Sequence, residues 1–203
     1  MQKNSAGESA TTDVMGCRFH LAVLSDNFVP MLLDAIGNVN TEKIWNVTEK
    51  LSTVYRGRRV HVLDCVKACF SNIVDNKTFI ILSTKFSKEG DKDIEKDCFI
   101  ASDDIVMNNP QKDFNVIGRV AFYPMGVSNH VQHIDTVINM AKERGIHTRT
   151  SYYADFFEGS VHDIFDFINE ALIYAEKNTP NFVLDLSILA AGEPKEGMVN
   201  YEN

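Results

Sequence analysis

His61, Cys65 and Cys69 recur every four residues, so on a helix they form one stripe. Imidazole and thiolate could hold a soft metal there, but a single helix rarely supplies a whole ligand set. Free cysteine is also among the most buried residue types, so the stripe reads as core packing. His130 and His133 make a second, thinner metal pattern, and both read as surface histidines. His162 precedes Asp163, but adjacent helical residues do not face each other and make a poor catalytic dyad. The chain has no G-x-S-x-G, P-loop or H-E-x-x-H motif. No nucleophile pairs with a base, so these residues point to binding rather than catalysis, with no metal or cofactor.

Two phrases suit ligand recognition. "TVYRGRRVHVLD" at 53–64 rhymes with "ADFFEGSVHDIF" at 154–165, and their glycines, Gly57 and Gly159, stand half a chain apart. Glycine between a strand and a helix permits a positive φ or a close backbone approach. The helix start just after it offers free N–H donors. Arg56 precedes the first glycine and Glu158 the second, so two pockets built on these joints would differ in charge. Trp45 and the run Phe122-Tyr123-Pro124-Met125 could form a flat apolar slot for a heteroaromatic ring. Strand alternation divides that run: if Phe122 faces helices, Tyr123 and Met125 face away.

The elements that position these residues are themselves repeated. "RFHLAVL" at 18–24 matches "RVAFYPM" at 119–125, each an alternating strand opened by arginine. A helix follows each, over 26–39 and 128–144, with Ser25 or Asp26 and Ser128 or Asn129 as N-caps. Two short strands, a second amphipathic helix (60–74 and 161–178) and a closing strand complete each half. The order β-α-β-β-α-β predicts an α+β protein of two tandem ferredoxin-like repeats, with antiparallel sheets and helices on one face. The repeats span 16–87 and 116–190, with a charged linker over 88–115 ordered briefly near 98–101. Residues 1–15 read as a polar, disordered tail and 191–203 as a polar C-terminal tail. Each half leaves one sheet face bare, to be covered by the other half or by a second chain.

Charge divides the halves. Repeat one carries nine Lys/Arg against six Asp/Glu, repeat two five against nine, and the whole chain is at −8. That balance excludes a nucleic-acid surface as the main role. No apolar run approaches a membrane span, and the N-terminal stretch lacks the apolar core of a secretory signal, so a cytoplasmic location is expected. The four cysteines would then stay reduced.

"GCRFHLAVLSDNF", "TEKIWNVTEKLSTVYRG", "FYPM" and "YYADFFEGSVHDIFDFINEALIYAE" resemble the YkoF family of thiamin- and hydroxymethylpyrimidine-binding proteins, in order and in both halves. The resemblance implies tandem ferredoxin-like units associated as homodimers. It implies binding of thiamin or its pyrimidine moiety without chemistry, and a link to uptake of the vitamin precursor. An aminopyrimidine needs aromatic or Met faces and a few polar edges. By the same resemblance Thr53, Asp155 and Glu158 would supply those edges, and His61 and His162 would line the pockets or orient a neighbour. Glu158 would favour a cationic thiazolium and Arg56 would oppose it. The family's LYPM tetrad is kept as Phe122–Met125 in repeat two but becomes Leu21–Leu24 in repeat one. Histidines of the family phrase are replaced by Lys50 and Tyr152. The alternatives are a protein-interaction module whose bare sheets bind another chain, and an enzyme using Cys or His.

Overall fold

A computed structural model describes residues 14–75, 77–88 and 100–190. Repeat one runs β1 (Val14–Val23), α1 (Phe28–Gly37), β2 (Trp45–Thr48), β3 (Thr53–Arg58), α2 (Arg59–Ile73) and β4 (Ile80–Ser87). Repeat two runs β5 (Asn115–Met125), α3 (His130–Glu143), β6 (His147–Ser151), β7 (Ala154–Ser160), α4 (Val161–Asn178) and β8 (Asn181–Ala190). Both halves are β-α-β-β-α-β, as their patterns predict. The helix after each first strand starts two residues later than expected, capped by Asn27 and Asn129 without a side-chain bond. Ser160 caps α4 by accepting from the Asp163 N–H.

The halves do not cover one another's bare faces. They join edge to edge in one eight-stranded antiparallel sheet ordered β2-β3-β1-β4-β8-β5-β7-β6. In each repeat the last strand lies at a free edge with unpaired N–H and C=O groups. The antiparallel pairing of β4 with β8, over Ile80–Ser87 and Val183–Ala190, satisfies both edges at once. Stacking the faces would have left both edges open.

Alternation sorts the strands into two faces. Met15, Cys17 and Phe19 of β1, Leu82 and Phe86 of β4, Val120 and Phe122 of β5, and Leu184 and Leu186 of β8 all point toward the helices and are buried. Phe19 meets Tyr55 edge-on, at 4.9 Å between ring centroids. Between them on the strands lie Arg18, His20, Lys85, Arg119, Tyr123 and Asp185, on the open face. The α2 and α4 helices meet over the sheet, where Lys67 Nζ donates to His162 Nδ1 at 2.7 Å and Arg59 pairs with Glu176.

The described part of the joint, residues 100–114, is tied to repeat one by polar contacts. The Asp64 carboxylate on α2 accepts from the N–H groups of Met107, Asn108 and Asn109 and from the Asn108 amide, at 2.7–3.2 Å. Lys43 pairs with Asp103. The expected ordered piece at 98–101 lies partly outside the described residues; within them the Ala101 N–H donates to the Lys43 carbonyl.

Candidate functional site

The joint glycines do not use a left-handed backbone: among the described residues only Gly126 and Gly145 have positive φ for that residue type. Gly57 and Gly159 are there for space. A Cβ on Gly57 would meet Ile44 Cγ2 at 2.7 Å, and one on Gly159 would meet Ile146 Cγ2 at 3.2 Å. Each glycine lets the isoleucine before the repeat's second strand lie flat over the joint.

The two histidines after the glycines are not counterparts. The α2 and α4 helices begin at the same distance past their glycines, which puts His61 third on its helix and His162 second on its own. His61 is buried and its Nε2–H donates to the Asp103 carbonyl at 2.7 Å, which fixes the tautomer. His162 stands at the surface between the helices, bound to Lys67. Each histidine is thus engaged by a hydrogen bond within the fold.

The other candidate residues fall on opposite faces of the sheet. Trp45 is paired in register with Arg56, and both lie on the open face with Tyr123, Met125 and Glu158. Arg56 is buried there beside Gly16, whereas Glu158 is exposed. Thr53, Gly57, Phe122, Asp155 and Gly159 lie on the helix face. No single ligand on one face reaches side chains of both sets. Lys50 and Tyr152 lie in the hairpin turns rather than in strands.

On the helix face of repeat two Asp155 organises a polar cluster. Its Oδ1 accepts from Thr150 Oγ1 at 2.5 Å and lies 3.1 Å from His147 Nε2. Only about an eighth of either the His147 or the Asp155 side chain reaches solvent, at 12% and 13%. In such a setting a carboxylate hydrogen bond is stronger than in water. His147 gets there by a bulge between His147 and Arg149, which turns it inward. Trp45, at the matching place on unbulged β2, points outward. In repeat one the matching cluster is neutral, Thr48 Oγ1 with Thr53 Oγ1 at 3.1 Å.

Aromatic groups share this face. His133 on α3 is buried, not exposed as its sequence setting predicts, and its Nδ1 lies 2.7 Å from the Tyr174 hydroxyl of α4. Phe122 packs against Phe182 in the same layer. Sequence reasoning missed His147, Thr150 and Tyr174 and placed His133 at the surface, because a bulge and a helix–helix contact leave no periodic trace. At the β6–β7 turn Tyr152 and Tyr153 are almost fully exposed, with Tyr153 in the left-handed region at φ 63°.

The Cys65 and Cys69 thiols are spent in the core. Cys65 donates to the Asn40 carbonyl and Cys69 contacts the Tyr55 hydroxyl at 3.2 Å. Burial, then the Asp64 charge, pushes Cys65 up to about 12, and burial pushes Cys69 up to about 11.

The duplicated α+β architecture meets its match in known sequences. A family model described as "YKOF-related Family" matches residues 14–91 and again 115–195. The chain belongs to the YKOF-related family. The two matched segments correspond to the two halves of the sheet, so the family unit is one β-α-β-β-α-β repeat. A curated relative from Bacillus subtilis (strain 168), named "Putative HMP/thiamine-binding protein YkoF", is 26% identical over 183 residues. The alignment covers 89% of this chain and 92% of that protein. The relative is named as a binding protein. No helix among the described residues is long and apolar enough to cross a membrane.

Proposed function

We propose that this YKOF-related protein is a non-catalytic cytoplasmic binding protein for thiamin or its hydroxymethylpyrimidine moiety, with one pocket per repeat and a link to uptake of the vitamin precursor. The observation that carries the reading is the Asp155 carboxylate, held by Thr150 and His147 on the helix face of repeat two. An aminopyrimidine presents an exocyclic N–H donor beside a ring nitrogen, and a carboxylate can accept from such an edge. Phe122, Tyr174 and His133 on the same side offer ring faces. Support for the ligand class comes from the printed name of the Bacillus relative.

Repeat one carries Thr48 and Thr53 where repeat two carries Thr150 and Asp155, so its pocket binds the same ring more weakly. Of the open-face candidates, Glu158 and Arg56 then affect a bound cation only through the field of the sheet. A homodimer is part of this reading.

Isothermal titration with hydroxymethylpyrimidine and with thiamin tests the proposal. Saturable heat with either compound is expected, with two unequal sites. No heat and no thermal shift with both would reject the ligand assignment. Light scattering at the same concentrations reports the oligomeric state.

A further inference from the structure

The seam between α2 and α4 sets three groups in line. Lys67 Nζ on α2 donates to His162 Nδ1 on α4 at 2.7 Å. A ring nitrogen that accepts carries no proton, so in the neutral imidazole the hydrogen sits on Nε2. That nitrogen faces Asp113 Oδ1 at 4.0 Å. Lys67, His162 and Asp113 thus stand in the order nucleophile, base and orienting carboxylate. Counted from Gly57 and Gly159, the matched positions of Lys67 and His162 are Asn169 and Val60. The arrangement therefore occurs once, where the two repeats meet, and does not depend on the pyrimidine reading.

The setting favours a reactive amine. Lys67 is half-buried, and burial holds its ammonium below the usual lysine range, against the pull of Asp166, Asp113 and Asp64. His162 keeps about a third of its side chain in solvent, at 34%, so a small reagent can reach the pair. Both residues lie on the helix side of the sheet, away from the open face that a second copy would cover.

We propose that Lys67 is a modification site, acylated at Nζ by small acyl phosphates with His162 as the base. Lys67 hands one proton to His162 Nδ1, and the free Nζ attacks the acyl carbon. A C–N bond forms and the C–O bond to phosphate breaks. Phosphate leaves with the electron pair and the second Nζ proton, and His162 returns the first to solvent. Acylation cancels the ammonium charge and removes the donor to His162, which cuts a polar tie between the inner helices of the two repeats.

The full-length protein is treated with acetyl phosphate at pH 7.5, and acetylation of each lysine is followed by peptide mass spectrometry. Lys67 should react about fivefold or more faster than the exposed Lys142 and Lys177. In urea the rates should converge, since the advantage belongs to the fold. His162→Asn keeps an acceptor for Lys67 but no base, so it should slow Lys67 about threefold or more and leave Lys142 and Lys177 unchanged. Asp113 acts through His162 as a positioning residue. Asp113→Asn takes a carboxylate from the imidazolium, so the acid limb of the Lys67 pH–rate profile should move to lower pH. A native Lys67 no faster than Lys142 and Lys177, or an unchanged rate in folded His162→Asn, would overturn the proposal. An unmoved acid limb would remove Asp113 from it.

Discussion

Thr84 on β4 pairs across the sheet with Leu186 on β8, the residue that holds its own place in the second repeat. Thr84 opposes Phe19 on β1 and Leu186 opposes Val120 on β5, the matched positions of the two first strands. The local two-fold of the duplicated chain therefore runs through this one pair. It sets the phase of both faces, since a slip by one residue would send Leu186 and its neighbours to the open side.

Thr84 is buried on the helix face, and its hydroxyl has no hydrogen-bond partner. Thr84→Val keeps the branched shape and removes that unmet group. The expected result is a gain of about 1 kcal/mol in stability, read as a higher denaturation midpoint in urea. A lowered midpoint would show that the hydroxyl is satisfied.

Gly57→Ala and Gly159→Ala should separate. The first drives a methyl to 2.7 Å from Ile44, the second only to 3.2 Å from Ile146. Overpacking of the first kind costs about 2 kcal/mol, so Gly57→Ala should melt several degrees below Gly159→Ala. Equal melting temperatures would mean that Ile44 moves aside freely.

Cys17, Cys65 and Cys69 are free but buried, and burial raises all three. In a Cys98→Ser background no thiol should react with a disulfide reagent at pH 8 until the chain unfolds, when three do. The fold holds these protons to higher pH than the unfolded chain, whose thiols titrate near about 8.5. Their contribution to stability is therefore complete below that range. It is lost as pH rises through the native values, about 11 for Cys69 and about 12 for Cys65. Fast labelling of the native protein would contradict the packing.

The two faces give the ligand proposal a discriminating pair of variants. Asp155→Asn should weaken hydroxymethylpyrimidine at least tenfold, since the hydrogen-bond acceptor is halved where water is scarce. Glu158→Gln, exposed on the other face, should leave titrations with that neutral ring within twofold. The reverse pattern would move the pocket to the open face.

The duplicated β-α-β-β-α-β order, the core stripe of Cys65 and Cys69, and the matched joints at Gly57 and Gly159 follow from the sequence by itself. Alternation and helical spacing are local properties, and a repeat shows wherever the same local rules recur. The site was less visible. Which face Asp155 shares with His147 depends on a bulge, and whether Lys67 meets His162 depends on how two helices pack. The joining of β4 to β8 instead of face-to-face stacking rests on the satisfaction of two strand edges. Backbone hydrogen bonds across an edge are the same for any residues, so only the tertiary structure decided that the open face would run unbroken through both repeats.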